Sequence, residues 1–382
     1  MTELRSLRAR FPLLEERLYC ATPGLGPVLR ETFDDLEAYR RTFTRRSRAL
    51  DEWVERHEAL HGLVERLLGA PPGSVFLTDT ATAAQAALAA AVTPSAERRR
   101  IVTSAADFHS SRYLWAAQAR RGFEITELDA RAHADEAPLL ESIDARTAIV
   151  ALSLVSPRSG ALLPARAVAA RCREVGAILV LDAYQAVGIV PLDVEALGAD
   201  VVIGGTHKWL HGGGTGLAFG YVSPPLAARL EPAYPGWIGH ASLRAFSDRF
   251  EPHDGARRLA QGTPAMEPVY TARAGLELAL EVGVSAFRAR SLALTGRLLA
   301  GLAERGIPVR TPSADARRGG MVCVEAADGE AADGEGVVAA LEAEGIDVDT
   351  RPGAGVRIGP HPTQTEADMD TLVDALARAV RA

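Results

Sequence analysis

Cysteine is scarce in this chain, with Cys20, Cys172 and Cys323 the three present. Their odd number and the lack of a short-spaced pair argue against a disulfide framework and a structural zinc site, and fit a reducing, cytoplasmic setting. Long apolar runs are missing too. Nowhere do about 18 apolar residues follow one another, and Met1 to Phe11 carry charge rather than an apolar stretch, so neither a membrane span nor a signal peptide is expected. Positive charge is in deficit: 42 Lys and Arg against 49 Asp and Glu leave a net charge of -7. That removes the electrostatic footprint of a nucleic-acid or anionic-lipid partner and leaves a small molecule as the expected one. What remains is ordinary globular material. Hydrophobic residues make up 47% and charged ones 24% of 382 residues, unlike a disordered chain. At about 150 residues per domain, two to three units are expected.

The scarcest side chain of interest is lysine. One of the 42 basic residues is Lys208 and the other 41 are arginine. Arginine supplies charge and a planar fork of donors but is never a neutral nucleophile, whereas a lysine amine can lose its proton and condense with a carbonyl. Lys208 is thus the first candidate for covalent chemistry, although the count alone also fits a chance survivor of arginine-biased composition.

Apolar runs at Val75 to Thr78, Ile101 to Ser104, Phe123 to Leu128, Ala148 to Leu152, Ala177 to Leu181, Val201 to Ile203 and Leu217 to Val222 read as buried strands. Ala-rich, helix-prone segments such as Ala83 to Val92 and Ala165 to Glu174 alternate with them, the pattern of parallel βαβ units. The fold expected is α/β, a doubly wound, mostly parallel large domain over residues 51–267 after an N-terminal segment of 1–50. Residues 268–382 read as a smaller C-terminal α+β domain. It opens with a long helical stretch with one Gly-containing break, Val269 to Arg305, followed by short strands at Ile307 to Arg310, Met321 to Glu325, Ile346 to Asp349 and Val356 to Ile358 and a final helix from Glu366. A tandem Ala-Ala-Asp-Gly-Glu, Ala326 to Glu335, reads as a duplicated surface loop.

Ligands of open α/β sheets bind beyond the carboxyl ends of the strands. Thr80, Ala81 and Thr82 fall at such an end, where a helix start offers N–H groups and a favourable dipole to a phosphate; a plain Thr N-cap has the same appearance. Asp182 closes the run Ile178 to Leu181, and a carboxylate there calls for a cation or serves as an N-cap. Lys208 follows it 26 positions on in a Gly-flanked turn with His207. Arg357, on a predicted small-domain strand, could clamp a carboxylate through two hydrogen bonds. A lysine, a carboxylate for a ring nitrogen and a phosphate cradle are together what pyridoxal 5'-phosphate (PLP) requires.

These motifs resemble the fold-type I, class V PLP enzymes over nearly the whole chain, and kynureninase most of all. The closest resemblance lies in Tyr19 to Pro27, in Pro235-Gly-Trp-Ile-Gly-His240 and in Gln261-Gly-Thr-Pro264. The resemblance implies that Lys208 bears the cofactor, Asp182 keeps its ring nitrogen protonated and Gln185 donates to the ring hydroxyl oxygen. It implies that Thr80, Ala81, Thr82 and His207 hold the phosphate together with Trp237 and Thr263, the last from the second subunit of a homodimer. Phe108 would stack on the ring, with His109 the other candidate, and Arg357 would bind the substrate carboxylate beside Gly24. No metal is implied. The activity implied is hydrolysis or lysis of an amino-acid side chain, in the kynureninase manner with release of alanine. Class V transamination, epimerisation and β-elimination are the alternatives.

The chain departs from the kynureninase pattern at Pro23-Gly24, at Ala183-Tyr184-Gln185 and at His361-Pro-Thr-Gln364, where substrate contacts are expected. Cys323 lies in an apolar run and reads as a buried thiol rather than a persulfide carrier. A silent DNA-binding relative would need a basic appended domain, for which neither length nor charge leaves room. His240, His253 and His361 are further candidate substrate contacts.

Overall fold

A computed structural model describes residues 4, 6–243, 247–325 and 333–380. The large domain is built on seven strands: β1 (Val75–Thr78), β2 (Arg100–Ser104), β3 (Glu124–Leu128), β4 (Thr147–Ser153), β5 (Ile178–Asp182), β6 (Val201–Gly205) and β7 (Ala218–Val222). They lie in the order β1-β7-β6-β5-β4-β2-β3. Strands β2 to β6 pair in parallel, and β7 runs antiparallel to both β6 and β1. Alternate residues face opposite sides, as the period of a strand requires. Val150, Leu152, Leu179, Leu181 and Val202 face one apolar core, while Ile149, Ala151, Val180, Val201 and Ile203 face the other. Helices cover both faces, which is why the central strands read as unbroken apolar runs rather than as an alternation. The doubly wound α/β architecture expected from the sequence is the one observed.

The helical stretch after residue 265 is three helices, Met266–Thr271, Arg273–Val282 and Val284–Glu304, with the last break at Gly283 (φ 82°). Side chains from Met266 to Phe287 belong to the large-domain core, and Leu294, Leu298 and Leu302 belong to the core of the small domain. The two cores therefore meet within one helix. Small-domain strands β8 (Val322–Val324), β9 (Asp349–Arg351) and β10 (Gly355–Ile358) form an antiparallel sheet with β10 in the middle. The strand expected at Ile307 to Arg310 does not form. Pro308 has no N–H to give, and only Val309 makes an isolated bridge, to Val324. Of the tandem repeat, 326–332 lie outside the described residues, and Asp333 to Glu335 begin the helix Asp333–Ala343 rather than a loop.

The N-terminal segment joins the two domains. Leu18–Tyr19 pairs in parallel with Ile346–Asp347. Gln364 secures it: its Nε2 donates to Tyr19 O at 2.8 Å while its Oε1 accepts from His361 N at 3.0 Å.

Candidate active site

The turns and helix starts beyond the carboxyl ends of β1, β2, β4, β5 and β6 line one cavity of about 350 Å³. Pro23 and Gly24 close it from the N-terminal segment and Arg351 and Arg357 from the small domain. Its position follows from the topology, because parallel strands present their ends and the ensuing helix starts on one edge.

Lys208 comes three residues after β6. Its Nζ lies 4.9 Å from the centroid of the Tyr184 ring and 5.9 Å from that of Phe108. Among the described residues it has no hydrogen-bond or ion-pair partner. Burial, and then the charge of Arg357, push the Lys208 amine down to about 8. Such a lysine keeps roughly a tenth of its amines neutral at pH 7. The N-terminal segment presses on the same turn. Gly26 N donates to His207 O at 2.7 Å, and a Cβ on residue 26 would stand 2.0 Å from Lys208 O. Only glycine permits that approach.

Asp182 ends β5. Its Oδ1 accepts from Tyr184 N at 3.0 Å and its Oδ2 from Ser111 Oγ at 3.3 Å. Burial raises the Asp182 pKa, while these donors and the Lys208 charge oppose the rise. Behind Ser111 stands a buried chain of donors. Gln85 Nε2 gives to Ser111 Oγ at 2.8 Å, and Trp115 Nε1 gives to Gln85 Oε1 at 2.8 Å.

Thr80 caps the helix Ala81–Ala91, its Oγ1 accepting from Ala83 N at 3.0 Å. That leaves the N–H groups of Ala81 and Thr82 without intrahelical partners at the cavity wall, the usual condition for anion binding. His207 also lines the cavity, its Nδ1 lying 3.1 Å from Tyr184 Oη. Burial, and then the Lys208 charge, hold it down to about 4, so it is neutral. A lone amine, a carboxylate and a helix start facing one enclosed space fit PLP.

Of the remaining residues expected at the site, Gly24, Phe108, Gln185 and Arg357 line the cavity. Gln185 is occupied on both sides: its Nε2 donates to Pro23 O at 2.9 Å and its Oε1 accepts from Trp209 Nε1 at 2.9 Å. It props the N-terminal segment over the cavity. Arg357 forms a bidentate pair with Asp349, at 2.7 Å from Nε and 2.5 Å from Nη2.

Trp237, Thr263 and His109 are not among the lining residues. Trp237 Nε1 donates to Thr263 Oγ1 at 3.1 Å, on a separate crevice. His109 turns from the cavity toward Arg158, at 3.3 Å. His240, His253, His361 and Gln364 do not line the cavity either: the histidines bond locally to Ser242, Gly255 and Thr363. Gly205 had no expected role, yet a Cβ there would stand 2.0 Å from the Tyr184 ring, so the glycine makes room for the ring beside Lys208. Ser111, Gln85, Asp349 and Arg351 also went unremarked in the sequence.

The class-V aminotransferase family matches residues 22–379. A kynureninase from Pseudomonas fluorescens is 32% identical over 325 residues, 82% of this chain and 76% of that protein. A kynureninase from Burkholderia pseudomallei (strain 1106a) is 30% identical over 337 residues, 85% and 79% of the two chains. Among solved structures, the apo cysteine desulfurase of Thermococcus onnurineus superposes with a TM-score of 0.85 at 20% identity, covering 98% of each chain. A cystine C-S lyase in complex with cysteine persulfide gives 0.85 at 20%, covering 96% of this chain and 99% of its own.

Proposed function

The chain belongs to the class-V aminotransferase family, and we propose that it is a PLP-dependent hydrolase that cleaves the side-chain carbon–carbon bond of a γ-keto α-amino acid, kynurenine or 3-hydroxykynurenine foremost. The observation that carries the reading is the union, in one cavity, of the chain's single lysine with Asp182 and Arg357. PLP is the cofactor, and when bound it supplies an electron sink for bonds broken at the substrate α carbon.

The chain's own residues supply the rest. Lys208, its amine lowered toward neutrality, would hold the cofactor and, once the substrate amine has displaced it, would take the α proton. Asp182 holds a proton on the ring nitrogen, helped to stay ionised by Ser111. The N–H groups at Ala81 and Thr82 and the start of their helix receive the phosphate. Arg357 turns its guanidinium to the substrate carboxylate, sharing it with Asp349. Water would add its hydroxyl to the side-chain acyl carbon and its proton to Cβ as the bond between those two carbons breaks, and the α carbon would regain the proton that Lys208 took. The products are alanine and a carboxylic acid.

The same reading includes a cytoplasmic homodimer. The Trp237–Thr263 pair supports it: neither residue lines this chain's own cavity, so a phosphate role for the pair would be exercised toward another chain. The departure from the kynureninase pattern at Ala183-Tyr184-Gln185 favours the second reading, a class-V transamination, epimerisation or β-elimination. Persulfide transfer from Cys323 is disfavoured: the thiol is buried and pushed up to about 12 by that burial.

The test is product analysis of holoenzyme and L-kynurenine with no keto acid added. Equal amounts of alanine and anthranilate support the hydrolase. Turnover that needs a keto-acid acceptor and yields no alanine overturns it.

A further inference from the structure

The helix Arg46–Leu68 carries His57, Glu58 and His61, a His-Glu-x-x-His spacing, and none of the three lines the PLP cavity. Positions i and i+4 share a helix face, and the two imidazole centroids are 4.8 Å apart. Both rings are buried, with 4% and 6% of their surface exposed. His61 Nδ1 lies 2.9 Å from His57 O. A carbonyl oxygen only accepts, so Nδ1 carries the hydrogen and Nε2 presents a lone pair. That Nε2 is buried with no hydrogen-bond partner, and Glu58 Oε1 is in the same condition. Glu58 Oε2 is bound to Arg257. One ligand atom from each of the three residues lies within 4.8 Å of the others. Buried lone pairs set side by side with no donor between them are what a cation relieves.

We propose that His57, Glu58 and His61 bind a divalent transition metal of the zinc type, at a site separate from the cofactor. Two imidazoles and a carboxylate with a fourth position open are a zinc donor set. Ligand atoms around one tetrahedral ion stand about 3.4 Å apart, a contraction within reach of the Glu58 side chain. The Arg257 charge opposes a cation, so the expected affinity is modest. His57 and Glu58 also line the crevice bounded by Trp53, Trp237 and Met266.

The test uses untagged holoenzyme, stripped with a chelator, desalted and titrated with Zn²⁺ or Co²⁺ under equilibrium dialysis. One equivalent per chain is expected, with visible Co²⁺ absorption bands. Affinity should fall by about a hundredfold in His61→Ala and at least about tenfold in Glu58→Gln, with PLP content unchanged. Because His61 is buried, the rim variant Glu58→Gln is the one whose folding is least at risk. Absence of saturable binding in the wild type, or wild-type affinity in Glu58→Gln, overturns the site. The same titration on Lys208→Ala, which lacks the attachment lysine but keeps all three ligands, separates this site from the proposed function.

Discussion

Ser111 gives its hydroxyl hydrogen to Asp182 at 3.3 Å, and the direction of that bond is set two residues away. Trp115 can only donate, so the Gln85 carbonyl must face it and the Gln85 amide must face Ser111. Ser111, receiving from Gln85, is left to donate to Asp182. A donor at a buried carboxylate favours its charged form, which is the form that can hold a proton on a ring nitrogen.

Gln85→Leu should therefore weaken the fold by about 1–3 kcal/mol, since the Trp115 N–H and the Ser111 hydroxyl lose a buried partner. Turnover should fall with PLP still bound. Gln85→Glu should lower turnover further, because a carboxylate there draws the Ser111 hydrogen away and adds a negative charge near Asp182. Denaturation midpoints, PLP content and kcat for the two variants check this ordering.

Asp182→Asn should keep the fold and lose at least about a hundredfold in kcat, the scale typical of removing a preorganised electrostatic group. The cofactor-free variant should be more stable than cofactor-free wild type at pH 7. The sign follows from the raised Asp182 pKa: the native state holds its proton more tightly than the unfolded state, so wild type loses stability as pH climbs from the ordinary carboxylate range through the raised value. Tm against pH for both proteins should converge toward pH 4 and separate above it.

With a single lysine, amine labelling of the cofactor-free protein can be followed by mass spectrometry at one side chain. Labelling of Lys208 should rise about tenfold per pH unit and level off near pH 8, where burial and Arg357 place its titration. Arg357→Leu removes a like charge and should move the inflection to higher pH. An unmoved inflection contradicts the assigned coupling.

Arg357→Lys should raise KM for the amino-acid substrate by about 10- to 100-fold while changing kcat less, because lysine cannot reproduce the two-pronged grip. The Asp349 pairing makes the companion variant informative. Asp349→Asn frees the guanidinium and should lower KM, whereas a structural role alone would raise it or leave it unchanged. Steady-state kinetics on both variants decide.

The architecture was legible because helices on both faces make the strands apolar from end to end, and Lys208 and Asp182 stood out because each follows such a run. The partners of these residues were hidden by distance along the chain. Gln85 sits inside an alanine-rich helix, and nothing local announces a bond to Trp115 thirty positions away. Asp349 opposes Arg357 in the β9–β10 register, visible only once the hairpin is known. Trp237 and Thr263 were placed through family likeness, and a single chain keeps them outside its own cavity. Gln364, expected near substrate, instead spends its amide on the backbone at Tyr19 and His361, a use of buried polarity that residue type alone does not reveal.

The central claim is that Lys208 carries the cofactor, and borohydride reduction of the purified holoenzyme followed by peptide mapping tests it most directly. The pyridoxyl mass should fall on the peptide containing Lys208, with the yellow absorbance lost on reduction and absent from Lys208→Ala. A reduced adduct on the N-terminal amine alone, or no adduct from protein loaded with excess PLP, would contradict it.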